Sequence, residues 1–131
     1  MRHFAIFLAT AAATLCAATA VVAADPSAFL PAGWSHAEIN VTGPNGRPHT
    51  QIFDRGRVQS VSGSSLTLRE RDGIVVTIQV APNATVRVNG QAGSLSQIAP
   101  GYQALTRGTD GRPAQLVRAT SPPRRVVKTT A

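Results

Sequence analysis

Residues 65–80 read SLTLRERDGIVVTIQV. Leu66 and Leu68 alternate with polar residues, a pattern typical of a strand that buries one face. Asp72 and Gly73 then form a dipeptide that favours the tight turn of a β-hairpin. After this turn, aliphatic residues again fall on every second position: Ile74, Val76, Ile78 and Val80. The segment therefore predicts two antiparallel strands joined by a short turn.

Similar short strands, separated by Gly and Pro, lie on both sides of this hairpin. The 131 residues include 11 Gly and 9 Pro, which interrupt helices and favour turns. We predict further strands near 52–61, 85–88, 102–106 and 113–120, and one helical turn at 94–98. This order predicts an all-β fold, a small antiparallel β-barrel that is OB-like or SH3-like, with one short helical turn and flexible termini. Its expected core is aliphatic: Val58, Val61, Leu66, Leu68, Ile74, Val76, Ile78, Val86, Val88, Leu95, Ile98, Leu105 and Leu116.

The first 24 residues have the organisation of a secretory signal peptide. Arg2 precedes an apolar run from Phe4 to Ala24, and Val22 and Ala24 are the small residues at the −3 and −1 positions of a cut after Ala24. We expect cleavage near Ala24 and a mature protein that is periplasmic or secreted. The one cysteine, Cys16, falls inside this run. The mature chain is therefore expected to rely on its core rather than on disulfides.

The mature chain divides by composition into three parts. Residues 25–51 are rich in Pro and Gly and are predicted to form an N-terminal arm, and residues 52–120 are predicted to form the barrel domain. Residues 121–131 are predicted to be a basic, disordered tail. No acidic residue occurs after Asp110. We expect this end of the chain to bind anions and to contact membrane surfaces peripherally, through Arg118, Arg124, Arg125 and Lys128.

The turn glycines and core aliphatics together form a longer pattern. It runs Gly56-x-Val58-x-x-Val61-x-Gly63, Leu66-x-Leu68, Asp72-Gly73, Thr85-x-x-Val88-Asn89-Gly90, Leu95-x-x-Ile98 and Pro100-Gly101. Over residues 54–119 the chain resembles a family of small exported bacterial β-barrel domains, OB-like, with no assigned function. This resemblance implies a module of the periplasm or cell surface and no particular reaction. Copper-binding barrels of similar architecture use a strand face rich in Met and His, whereas the one methionine here is Met1.

The sequence offers no recognisable catalytic constellation. The mature chain has no cysteine, and no Gly-x-Ser-x-Gly turn presents a serine. The serines at 60–65 cluster where a hairpin turn is expected, which accounts for them structurally. Glu70 is expected to pair with a neighbouring arginine on the strand surface. We therefore expect no enzymatic activity, no catalytic residues and no cofactor.

A metal site is one alternative function. His36, Glu38 and His49, together with Asp54, offer imidazole and carboxylate groups that suit divalent metals. His36 and Glu38 share a face if their segment is a strand. The 13-residue spacing from His36 to His49 crosses a Pro/Gly turn, so the sequence leaves the relative geometry of the two histidines open.

Nucleic-acid binding is a second alternative, because OB-like barrels often use a basic groove with stacked aromatic residues. The aromatic residues of 52–120 are Phe53 and Tyr102. This small number of aromatic residues and the predicted export of the protein both argue against nucleic-acid binding. The basic face would use Arg55, Arg57, Arg69, Arg71 and Arg87. The function expected is instead that of a non-catalytic binding or structural module of the bacterial cell envelope. Its partner would be an envelope protein or an anionic envelope polymer.

Overall fold

A computed structural model describes residues 26–125 of the protein. The predicted signal peptide with its cleavage point, and Lys128 of the predicted tail, lie outside the described residues. The strands are β1 (His36–Thr42), β2 (Pro48–Ser62), β3 (Ser65–Arg69), β4 (Val75–Val88), β5 (Gln91–Ala92), β6 (Gln103–Thr109) and β7 (Ala114–Thr120). Two 3-10 turns cover Pro26–Phe29 and Leu95–Gln97. Between residues 26 and 125, no helix is long and apolar enough to cross a membrane.

The hairpin of residues 65–80 is confirmed. Leu66 lies opposite Ile78 in the antiparallel ladder between β3 and β4. Gly73 has a φ of +90°, a conformation that favours glycine. The Asp72 carboxylate accepts a hydrogen bond from the Ile74 backbone N–H at 3.0 Å, which fixes the turn locally.

Five strands close into a ring in the order β2-β3-β4-β7-β6, because β6 also pairs with β2. The all-β prediction is confirmed, but the sheet is mixed rather than wholly antiparallel. Strand β7 runs parallel to β4, and the other pairs are antiparallel. The cause is the connection: residues 89–113 carry the chain from the end of β4 through β6, so that β7 returns in the direction of β4.

Strand β4 is longer than the sequence predicts. We expected a break at residues 81–83, whereas the strand continues from Val75 to Val88. The irregularity appears instead in the pairing with β7, where Val80 lies opposite Ala114 and Thr85 opposite Leu116. Extra residues on one strand of a pair bend that strand, and here they interrupt the regular ladder between β4 and β7.

The segment predicted as an arm contains a strand pair. Strand β1 pairs with the first half of β2, from His36 opposite Asp54 to Thr42 opposite Pro48. The connecting turn is closed by a hydrogen bond from Gly46 N–H to Gly43 O at 2.9 Å. β2 is therefore 15 residues long and joins this outer hairpin to the ring.

Most of the predicted core residues belong to one cluster inside the ring, with three exceptions. Leu116 is buried but lies outside this cluster. Ile74 is 56% exposed, because it lies in the turn before the ladder of β4 begins. Leu105 is half-buried, and the neighbouring Ala104 and Thr106 are the buried residues of β6. The central cluster contains Val58, Leu66, Leu68, Val80, Ile98, Ala104, Val117 and Ala119. Half-buried Val61, Val76, Ile78, Val86, Val88 and Leu95 pack against it.

Candidate functional site

The first candidate site begins at a pair of residues on β1 and β2. His36 lies directly opposite Asp54, so both side chains project from the same face. His36 Nδ1 donates to Asp54 Oδ1 at 2.7 Å. On the other side of the imidazole, His36 Nε2 lies 3.4 Å from Glu38 Oε1. The imidazole is thus held between two carboxylates.

Glu70 is the third member of this site. It follows β3 directly, and its backbone N–H donates to Ile74 O at 2.8 Å while its carbonyl accepts from Gly73 N–H at 3.0 Å. The residue is 5% exposed, and its Oε1 has no hydrogen-bond partner within residues 26–125. One ligand atom each from His36, Asp54 and Glu70 lie within 4.8 Å of one another. We call these three residues the His36 cluster.

Gly56 makes this convergence possible. A Cβ at this position would lie 2.5 Å from the carbonyl oxygen of Arg69 and 3.2 Å from the backbone nitrogen of Glu70. A glycine in a strand commonly marks a place where another backbone approaches closely. Here the approach brings the end of β3 against β2, two residues from Asp54.

The cluster raises the pKa values of two of its members. Burial raises the pKa of Glu70 above its usual range, and the negative charges of Asp54 and Asp72 raise it further. The hydrogen bond to Asp54 raises the pKa of His36, and burial opposes this while Glu38 adds to it. Both groups therefore hold their protons more tightly in the folded protein than in the unfolded chain.

We expect the stability of the metal-free protein to fall as pH rises. For Glu70, the contribution to stability is fully present below pH 4.5, the usual pKa of this group. It is lost as the pH rises from there through the raised pKa of the folded state. For His36, stability is fully present below 6.5 and is lost as pH rises through its raised pKa. The melting temperature, followed with chelator between about pH 5 and pH 8, should decrease. Glu70→Gln should flatten the lower part of this profile, and an unchanged profile in that variant would contradict the assignment.

The structure separates the histidines predicted to bind metal. His36 and Glu38 meet, but His49 lies opposite Val41, five ladder positions from His36. At about 3.3 Å per residue this is about 17 Å. His49 instead lies near Gly43 and Arg47, at the turn of the outer hairpin.

Sequence analysis considered Asp54 for this site but missed Glu70. Glu70 was expected on the surface beside an arginine, and this was wrong because the side chain is buried. A signal was present in the chain. Glu70 continues the alternation of Leu66 and Leu68, which places it on the inward face.

The second candidate site is a groove on the outside of the ring. Three adjoining depressions of about 390, 380 and 460 Å³ form it. The first and second share Arg55 and Gln103, and the second and third share Arg118 and Thr120. We call this continuous surface the arginine groove, after the residues that line it: Arg55, Arg57, Arg69, Arg71, Arg87 and Arg118.

Like charges lie side by side in this groove. Arg57 is directly opposite Arg69, and Arg87 is directly opposite Arg118. Directly opposed like charges destabilise a sheet, so folding alone does not favour this arrangement. Arg55 lies over the ring of Trp34, with its guanidinium carbon 5.0 Å from the ring centroid, a cation–π geometry.

One carboxyl group, that of buried Glu70, borders the centre of the groove. Within residues 26–125, the salt bridges are those of His36 with Glu38 and Asp54, and none involves Arg55, Arg57 or Arg69. These three guanidinium groups are exposed, since each alternates along its strand with inward-facing neighbours. The groove can therefore offer several donors to an anionic ligand.

The predicted anion-binding residues occupy two places. Arg118 lies in β7 and lines the arginine groove. Arg124 and Arg125 are exposed after the end of β7. Sequence analysis had assigned Arg118 to a function of the chain end, whereas its neighbours in space are Arg55 and Arg87.

Comparison of the chain with protein-family models, with curated proteins and with solved structures found no match. The resemblance stated above therefore stays a prediction.

Proposed function

We propose that the protein is a non-catalytic, exported module that binds a phosphate-bearing anionic polymer of the bacterial envelope in the arginine groove. One observation carries this proposal: arginines from four different strands and a turn line one continuous surface. Guanidinium groups form paired hydrogen bonds with phosphate and carboxylate, which makes arginine well suited to such ligands. A series of depressions suits an extended ligand better than a small molecule.

The fold supports this proposal. We propose that the ring is an OB-like barrel, since β2, β3 and β4 precede a helical turn, and β6 and β7 follow it. Small barrels of this kind bind oligosaccharides and oligonucleotides on their outer strands and loops. The export signal predicted for residues 1–24 favours an envelope polymer, because nucleic acid is scarce outside the cytoplasm.

The aromatic content of the groove also favours an envelope polymer over nucleic acid. Proteins that bind single strands stack successive bases on aromatic side chains. Trp34 is the aromatic residue that lines the groove, and Arg55 covers one face of its ring. Electrostatic contacts to a charged chain therefore outnumber stacking positions.

Neutralising the centre of the groove should weaken binding without unfolding the protein. We expect Arg57→Gln combined with Arg69→Gln to lower affinity for purified lipopolysaccharide by about thirtyfold at low salt, since each of the two basic residues near an anionic surface contributes about 1 kcal/mol. The effect should shrink as salt is added, because salt screens exposed charges. Binding can be measured by biolayer interferometry at two ionic strengths. Thermal stability should be unchanged or slightly higher, because the two opposed charges are removed.

A matched control separates groove binding from net charge. Arg47→Gln combined with Arg112→Gln removes the same charge from a separate depression that includes His49 and shares no lining residue with the groove. This control should retain the affinity of the unchanged protein. Equal losses in both double variants would contradict the proposal. Tighter binding of a single-stranded oligonucleotide than of lipopolysaccharide would replace it with the nucleic-acid alternative.

A further inference from the structure

The His36 cluster combines the donor types that divalent transition metals require. It offers one imidazole nitrogen and two carboxylate oxygens within 4.8 Å of one another. Imidazole suits Zn²⁺ and related ions, and carboxylates complete such sites in many proteins. Mg²⁺ and Ca²⁺ prefer oxygen ligands throughout, so the imidazole favours a transition metal.

Glu70 provides an independent reason to expect a ligand here. Its side chain is buried, and Oε1 has no hydrogen-bond partner among the described residues. A buried polar atom without a partner costs about 1–3 kcal/mol. The negative charges of Asp54 and Asp72 also repel a negative charge on Glu70. A cation between Glu70 and Asp54 would satisfy the unpaired oxygen and remove that repulsion.

The three ligand atoms, which lie within 4.8 Å of one another, have to shift to hold an ion. Two ligand atoms bound to Zn²⁺ at about 2.0–2.1 Å in a tetrahedral arrangement are about 3.4 Å apart. His36 Nδ1 lies 2.7 Å from Asp54 Oδ1, so the imidazole has to move outward by less than an ångström. The side chain of His36 is 46% exposed, so the movement is toward solvent. Its other nitrogen, Nε2, lies against Glu38, which would keep the ring oriented.

We infer that His36, Asp54 and Glu70 form a binding site for a divalent transition-metal ion, with Zn²⁺ the best match to one imidazole and two carboxylates. This site differs from the one expected from sequence, since Glu70 replaces His49. His36 and Asp54 project from the face opposite to that of Arg55 and Arg57, while Glu70 also borders the first depression of the arginine groove. No arginine is a ligand of the site. The inference therefore does not depend on the function proposed for that groove.

Calorimetric titration of the chelator-treated protein with ZnCl₂ near neutral pH tests the site. We expect saturation at one Zn²⁺ per chain and no comparable binding of Mg²⁺. His36→Ala should weaken Zn²⁺ binding by at least tenfold, and Glu70→Gln should weaken it similarly while preserving the shape of the side chain. His49→Ala is the matched control, because it removes a histidine of the same hairpin outside the cluster, and it should leave the affinity unchanged.

A second measurement uses the unaltered protein, so that no result depends on a variant that folds poorly. Nitrogen-15 NMR of the imidazoles should show a shift of the His36 ring nitrogens on Zn²⁺ addition and little change at His49. Absence of saturable Zn²⁺ binding would overturn the inference. Equal losses in His36→Ala and His49→Ala would also overturn it, since they would indicate adventitious histidine binding. Neither outcome bears on lipopolysaccharide binding by the arginine groove, which is tested separately with the Arg57 and Arg69 variants.

Discussion

Gly56→Ala should lower the free energy of unfolding by about 3 kcal/mol, near the top of the range for overpacking in a close-packed interior. The added Cβ would meet the carbonyl oxygen of Arg69 at 2.5 Å, a distance that real Cβ atoms do not adopt. The obstacle is backbone rather than the end of a flexible side chain. The variant therefore has to move β2 away from the end of β3.

Chemical denaturation followed by circular dichroism measures this loss. Gly73→Ala is a suitable control, because Gly73 has a positive φ but no atom within 4 Å of its Cβ position. Backbone strain alone should cost that variant about 1 kcal/mol. Similar losses in the two variants would show that close approach at Gly56 does not matter.

The same displacement should disturb the His36 cluster. The Glu70 backbone nitrogen lies 3.2 Å from the Cβ position of Gly56, so the movement of β3 carries Glu70 away from Asp54. Gly56 thus links the stability of the ring to the geometry of the site. Because Gly56 has no side chain, the carboxyl groups of Asp54 in β2 and Glu70 after β3 can lie close together.

Local pattern was sufficient to predict the central hairpin. Alternation at Leu66 and Leu68 and the turn at Asp72 and Gly73 depend on neighbouring residues alone. The parallel pairing of β4 with β7 was not predictable in this way. This pairing places Arg87 opposite Arg118, with 30 residues between them in sequence. No short-range pattern indicates that these two residues are neighbours.

The two sites also differ in how far they depend on local pattern and how far on strand pairing. The inward direction of Glu70 follows from the alternation of β3, although the partners it meets come from β1 and β2. The arginine groove depends entirely on which strands are neighbours. From sequence, Arg118 belongs with the basic end of the chain, and sheet pairing places it beside Arg87. Sequence thus indicates which side chains face outward, whereas topology decides which of them form one surface.

Leu68→Ala and Ile74→Ala should differ sharply, although the sequence pattern assigns both residues to the core. Leu68 is 0% exposed and lies between Val58 and Val76 in the ladder. Its truncation leaves a cavity and should cost about 3 kcal/mol. Ile74 is 56% exposed in the turn, and its truncation should change stability by less than about 0.5 kcal/mol.

Urea denaturation of the two variants tests this difference directly, since each variant truncates a four-carbon aliphatic side chain of the same hairpin to a methyl group. The midpoint should fall for Leu68→Ala with little change in slope, because the slope reflects the surface exposed on unfolding. Ile74→Ala should unfold at the midpoint of the unchanged protein. Equal losses would mean that Ile74 is buried in solution and that the hairpin closes through a tighter turn. Because Glu70 begins that turn, such a result would also move its carboxyl group relative to His36 and Asp54.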